Sequence, residues 1–289
     1  MPTKTITRET YARRIERVFE FLLDHLDDDV DMHRLAEEAH LSAYHFHRVF
    51  HGMTGETVAE TVRRLRLHRA AVKLISSATP IAALAIEAGY TSTAAFNRAF
   101  RAAYALPPAA YRAKQSRSEL RRPFIHAGAP TMFEVKFIEV PHVRVIALPH
   151  RGDYMEIGSM FEKLNVWAAG KNLLGSDARW FGIYHDDPAA KPAAELRSEA
   201  CLAIPSSFAG TDLPPGGFLR QTPAGRCAEL LFKGPYSSLE QPYHWLFGTW
   251  LPQSNEEPRD EPCFEEYLND ARNVAPSECL TAIRLPLKG

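Results

Sequence analysis

The chain has 289 residues, of which 45% are hydrophobic and 24% charged, with a formal net charge of −1. These are the proportions of an ordinary globular chain of one to three domains. No apolar run approaches the roughly 18 residues of a membrane-spanning helix, and the opening residues MPTKTITRETYARRIERV lack the apolar core of a secretory signal. The charge is split: residues 1–122 hold 19 Lys and Arg against 14 Asp and Glu, and the remainder holds 15 against 21. A basic half joined to an acidic half predicts two domains with different partners, nucleic acid being a candidate for the first.

The first half reads as helical. Ile15, Val18, Phe19, Leu22, Leu23 and Leu26 keep helical spacing, and the run ends at Asp27-Asp28-Asp29. Asp31 is placed to cap a short helix, MHRLAEEA. Ser42 caps the next, AYHFHRVFHG, with Gly52 or Gly55 as its stop. A helix, a short turn and a helix make the helix-turn-helix shape. The pattern then recurs about 50 residues on. Pro80 opens IAALAIEA, Gly89 makes the turn, and TSTAAFNRAFRAAY follows. Phe46, Val49 and Phe50, like Phe96, Ala99 and Phe100, form the core-facing stripe of each second helix. A helix from Thr57 to Ser76 joins the units. Twenty helical residues span roughly 30 Å, close to the about 34 Å between successive major grooves.

His40, His45, His47 and His51 cluster in the first unit. His47 and His51 sit one helical turn apart, but no third ligand stands at a useful spacing, so no metal site is expected. Cys201, Cys227, Cys263 and Cys279 form no CxxC pair and suit buried thiols in a reducing cytosol.

The stretches LAEEAHLSAYHFHRVFHGMTG, RLRLHRAAVKL and IAALAIEAGYTSTAAFNRAFRAAYALPPAAYR resemble the two-unit DNA-binding domain of AraC-family transcription regulators. One departure is Ala105, where many members have Gly before the last helix; Pro107-Pro108 can still begin that helix. The resemblance implies DNA contacts from Tyr44, His47 and Arg48 on the exposed face of the first recognition helix. It implies Thr93, Asn97 and Arg98 on the second. Arg48 and Arg98 suit a guanine edge and Asn97 an adenine edge, although either Arg can instead hold phosphate or an internal carboxylate. Ser42, Ser92 and the helix N-termini suit phosphates.

SRSELRRPFIHAGAP loses periodicity and reads as a linker over 118–130. It separates a DNA-binding domain at 1–117 from a second domain at 131–289. Strands are expected at FEVKFIEV, VRVIALP, RWFGIYH, SEACLAIP, RCAELLF, CFEEY and LTAIRLPL, and helices at MEIGSMFEKLNVWAA and SSLEQPYHWLFGTWL. A fainter repeat at an offset of 82 pairs Gly152 with Gly234, Tyr154 with Tyr236, Ile157 with Leu239, Phe161 with Tyr243 and Leu164 with Leu246. Two β-α-β-β copies around a ligand cleft would make an α+β domain, behind an all-α domain of two helix-turn-helix units.

All four tryptophans lie in this half, with several tyrosines; aromatics first of all build cores, and they also line concave sites. The stretch from FKGPYSSLEQPYHWLFGTWLPQ to LTAIRLPL is similar to the GyrI-like effector-binding domain. Gly234-Pro235-Tyr236, Trp250-Leu251-Pro252 and Phe264-Glu265-Glu266-Tyr267 carry the likeness. The resemblance implies that Glu265 lines the ligand cleft. Tyr154, Trp180, Tyr184, Tyr236, Trp245, Phe264 and Tyr267 are the expected aromatic wall. Glu266 is expected on the opposite strand face, in solvent.

The order of domains resembles Rob-type regulators. It implies a bacterial, cytoplasmic DNA-binding regulator that senses a small hydrophobic or cationic effector, with RNA polymerase as a further partner. No cofactor, membrane or catalytic residue is expected. The alternatives are a small-molecule hydrolase using Glu265 and a Tyr, or a protein-interaction module.

Overall fold

The computed structural model describes residues 8–114, 133–175 and 178–289. The expected linker at 118–130 lies outside the described residues. The first part is helical. It runs α1 (Arg8–Asp24), α2 (Met32–Glu38), α3 (Ala43–Thr54), α4 (Val58–Ser76), α5 (Ile81–Glu87), α6 (Thr93–Tyr104) and α7 (Pro108–Lys114).

Local chemistry sets these boundaries. Asp31 caps α2, accepting from the His33 and Arg34 amides. Thr57 and Glu60 close a reciprocal capping box on α4. Ser92 accepts from the Ala95 amide at the start of α6. Ser42 has the backbone of a cap but makes no side-chain bond to the helix. Gly55, not Gly52, ends α3, in the left-handed conformation. Ala105 holds the matching place after α6 at φ 59°, a conformation costly to any residue with a Cβ.

The second part is one antiparallel sheet of eight strands. The strands are β1 (Val135–Val140), β2 (Arg144–Arg151), β3 (Trp180–Tyr184), β4 (Arg197–Ala203), β5 (Phe218–Gln221), β6 (Gly225–Lys233), β7 (Cys263–Tyr267) and β8 (Leu280–Pro286). Their order is β1-β6-β8-β7-β3-β4-β2-β5, with β7 and β3 in register at the centre. α8 (Gly158–Ala169) follows β2. α9 (Glu240–Trp245) follows β6, runs through a wide π turn at Leu246–Trp250, and closes as α10 (Leu251–Gln253). Pro252 has no amide proton to give the carbonyl one turn back, so the regular ladder cannot continue through this point. All four cysteines are free and buried.

The apolar core does not respect the expected division of the chain. Tyr11, Ile15, Val18, Phe46, Val49 and Phe50 share one buried cluster with Trp245, Phe247, Leu251, Ile283 and Leu285. The second helix-turn-helix unit has its own core around Leu74, Leu84, Phe96, Phe100 and Tyr111. The first unit is therefore welded to the sheet domain, and the second hangs from it on α4. Polar contacts reinforce the weld. Arg14 pairs with Glu257 at 2.5 Å, Tyr11 donates to the Glu256 carbonyl at 3.0 Å, and the His45 ring meets the Arg259 carbonyl at 2.8 Å. Burial pushes the His45 imidazole down to about 4, so it stays neutral there.

Candidate functional site: an aromatic cavity walled in part by helix α3

The central strands carry the site. On β7, Glu265 and Tyr267 point to one face, and Phe264 and Glu266 to the other. The Glu265 carboxylate is buried, 2% exposed, and accepts from the hydroxyls of Tyr243 and Tyr267, each at 3.0 Å. Tyr267 in turn shares a 2.7 Å bond with Tyr184 on β3. Gly182 makes room for this layer: a Cβ there would fall 2.6 Å from the Tyr267 hydroxyl and 2.7 Å from the Tyr184 ring. Burial pushes the Glu265 carboxyl up to about 7, against the two tyrosine hydrogen bonds and the charge of Arg48, which pull it down. Tyr184, Tyr243 and Tyr267 are each raised well above their ordinary range, first by burial and next by the Glu265 charge.

Above this floor opens a cavity of about 900 Å³, ample for a drug-sized ligand. Tyr154, Trp180, Tyr184, Tyr236, Glu265 and Tyr267 line it. Tyr154 and Tyr236 enter on short turns just ahead of α8 and α9. Phe161 stands edge-on to Tyr267 at 5.4 Å and to Trp180 at 6.1 Å. The wall is acidic. Among the described residues Asp153, Glu162, Asp187, Glu240, Glu265 and Asp270 face it, against the guanidinium groups of Arg48 and Arg272. Asp270 is engaged by Arg272 at 2.8 Å.

Two expected wall residues lie elsewhere. Phe264 is fully buried in the core behind the sheet, as strand alternation requires of a neighbour of Glu265. Trp245 belongs to the core shared with the first unit, edge-on to Phe133 at 5.4 Å. Glu266 is on the opposite face but not in solvent. It is 6% exposed and holds Arg179 at 2.6 Å and Arg284 at 2.5 Å.

The larger departure concerns α3. Arg48, expected on an exposed face, is 9% exposed. Its guanidinium lies 4.8 Å from the ring centre of Tyr243 and 5.3 Å from that of Phe247, and donates to the Asp186 carbonyl at 3.1 Å. The same carbonyl accepts from Tyr154 at 2.9 Å. Burial pushes the half-buried His47 imidazole down, with Asp187 and Lys191 the next charges to act on it. Tyr44, also half-buried, faces His185 across 6.5 Å, and His51 meets His244 edge-on at 5.3 Å. Arg48 and His51 are thus part of the cavity wall. Gly52 permits this approach: its Cβ would sit 2.5 Å from the Gly248 backbone, so both glycines are where two backbones cross.

α6 is different. Ser92, Thr93, Asn97 and Arg98 are all exposed, and only Phe96 and Phe100 of this helix are buried. No group of three or more His, Cys, Asp or Glu side chains suited to a metal is found among the described residues.

A helix-turn-helix pair carrying a small-molecule cleft defines a DNA-binding transcription regulator with an effector domain. Residues 133–288 match the GyrI-like small molecule binding domain, and residues 35–114 match a helix-turn-helix domain. The chain belongs to the GyrI-like family, with an AraC-type unit ahead of the effector domain. It is 36% identical over 110 residues to a DNA gyrase inhibitor of Erwinia billingiae, covering 38% of this chain and 69% of that relative. It is 33% identical over 129 residues to the right origin-binding protein of Escherichia coli K12, covering 44% of this chain and 45% of that one. A solved complex of EcmrR with DNA superposes at a TM-score of 0.47 and 20% identity, over 55% of this chain and 59% of that one.

Proposed function

We propose that this chain is a bacterial transcription regulator that recognises duplex DNA through its two helical units and binds a hydrophobic cation in the aromatic cavity. The observation that carries the effector reading is Glu265. Its carboxylate is buried among tyrosines at the floor of a cavity whose wall, among the described residues, holds six carboxylates and two guanidinium groups. An isolated buried charge is costly, and ring faces attract cations. A ligand that is both apolar and positive satisfies the floor and the wall together.

On the DNA side, α6 offers Thr93, Asn97 and Arg98 to base edges and Ser92 with its helix terminus to phosphate. Tyr44, His47 and Arg48 of α3 are the corresponding set in the first unit, with Ser42 at its start. α4 has 19 residues, about 28 Å of helix, which suits recognition helices in successive major grooves on one face of DNA. The sheet halves β2-α8-β3-β4 and β6-α9-β7-β8 are read as two copies of one unit, meeting at β3 and β7. Residues 1–117 and 131–289 are read as the two domains. The chain acts in the cytoplasm, with RNA polymerase as its downstream partner, and it regulates rather than catalyses.

The test is a fluorescence titration with benzyltrimethylammonium and its uncharged isostere, neopentylbenzene. The cation should bind the wild type more tightly, and Glu265→Gln should remove that preference. Equal affinity for the two probes in the wild type would contradict a cation-selective cavity. A hydrolytic role draws on the same carboxyl; product released from an ester probe by the wild type but not by Glu265→Gln would favour it.

A further inference from the structure

The two recognition helices of this chain are alike in sequence and opposite in setting. α6 turns its polar face outward. α3 is buried on two sides at once: Phe46, Val49, Phe50 and Met53 pack inside the first unit, while His45, Arg48 and Gly52 pack against the effector domain. Of the α3 residues that the DNA reading needs, Arg48 lies in this second contact, and Tyr44 and His47 are half-buried at its edge, Tyr44 facing His185. An α-helix enters a major groove about 12 Å wide, and a helix face covered by a sheet domain cannot do so.

We infer that the DNA-reading face of α3 doubles as one wall of the effector cavity, so that occupation of the first major groove and closure of the cavity exclude each other. The structure is the closed, self-inhibited form. This rests on the reading that α3 recognises DNA. The cavity is a composite site, to which the DNA-binding unit contributes Arg48 and His51 and the effector domain contributes Glu265 and its tyrosines.

The contact also indicates the direction of control. Arg48 stacks on Tyr243, and the hydroxyl of that same ring bonds Glu265. Arg48 is therefore a cation already held on the aromatic floor beside Glu265. A ligand cation entering the cavity takes over those ring faces and the Glu265 charge, and it repels the guanidinium beside it. It binds best where α3 has moved away, and a ligand shifts an equilibrium by its difference in affinity for the two states. A cation therefore frees α3 for DNA. A neutral ligand of the same shape leaves Arg48 in place.

The inference is tested on the full-length chain with a duplex enriched from a random-sequence pool in the presence of benzyltrimethylammonium. Footprints are then compared for the wild type alone, with the cation, with neopentylbenzene, and for Gly248→Val. That substitution forces a side chain between the crossing backbones from the effector side, without altering α3. The wild type alone should protect one groove, through α6. The cation and Gly248→Val should each extend protection to a second groove and tighten binding about tenfold, within the usual range of coupling between sites; neopentylbenzene should do neither. The cation arm needs no variant, so a poorly folding Gly248→Val does not decide the result. A two-groove footprint for the wild type alone, unchanged by the cation, would overturn self-inhibition and leave the regulator reading standing. Failure to enrich any sequence would overturn the regulator reading, and this inference with it.

Discussion

The guanidinium of Arg48 lies 4.8 Å from the ring centre of Tyr243, and those two residues come from different domains of the chain. Tyr243 then passes the contact on, giving its hydroxyl to Glu265 at 3.0 Å. Three residues thus connect helix α3 to the floor of the cavity. A cation over an aromatic face gains most where water is excluded, and both Arg48 and Glu265 are buried here.

Tyr243→Phe keeps the ring under Arg48 and removes one donor from Glu265. With a hydrogen bond to its charged form lost, the carboxyl should titrate above its present value of about 7. The affinity for benzyltrimethylammonium should fall at pH 7 and recover at higher pH, with little change for neopentylbenzene. Fluorescence titrations from pH 6 to 9 measure this. An unmoved midpoint would remove Tyr243 from the control of Glu265.

Glu265 also sets a pH dependence of stability. Burial raises its folded value above that of the unfolded chain. Below the ordinary carboxyl range both states hold the proton and no stability is lost. As pH rises toward 7 the unfolded chain releases its proton first, so stability falls, and it levels off above 7. Glu265→Gln removes this loss. It should unfold at higher denaturant than wild type at pH 8, by about 1–3 kcal/mol, with the gap closing near pH 4. A gap of the same size at both pH values would assign the gain to packing instead.

Ala105 ends α6 in the left-handed conformation at φ 59°. Gly55 does the same for α3 without a Cβ. Ala105→Gly should stabilise the second unit by about 0.5–1 kcal/mol, read as a raised melting temperature. A lower melting temperature would mean that the Ala methyl makes contacts worth more than the strain.

The exposed face of α6 supports a direct test of DNA reading. Asn97→Ala or Arg98→Ala should each cost about 1–3 kcal/mol on a selected duplex and relax one base position. A uniform loss over all sequences would assign that residue to phosphate. The log–log dependence on salt should steepen by about 0.9 for each phosphate neutralised, and a flat response would contradict the nucleic-acid reading.

Much of the helical core was legible from the spacing of its aromatic residues. Phe46 and Phe50 share a pattern with Phe96 and Phe100, and all four are buried. Glu265 was legible from its motif and from strand alternation, and the same alternation excludes Phe264 from the cavity. Trp245 was not separable from a wall residue, because helical spacing alone does not say which of two apolar surfaces a tryptophan meets. β5 was missed: FLRQ is four residues long, half polar, and lies at the sheet edge. The burial of Arg48 was missed for a different reason. Its partners Tyr243, Phe247 and Asp186 lie more than 130 positions away, and no local pattern reports a contact at that distance. Gly52 and Gly248 were the trace it left, and Gly52 reads equally well as a helix stop.

The central claim, that DNA and a cationic effector act on one another through this chain, is tested most directly by measuring the coupling from both sides. Benzyltrimethylammonium affinity is determined for the full-length protein with and without a saturating selected duplex, and duplex affinity with and without saturating cation. Linkage requires the same factor in both directions. The account predicts that each ligand tightens the other by about tenfold, and that Glu265→Gln abolishes both effects together. Identical cation affinity with and without DNA would contradict it.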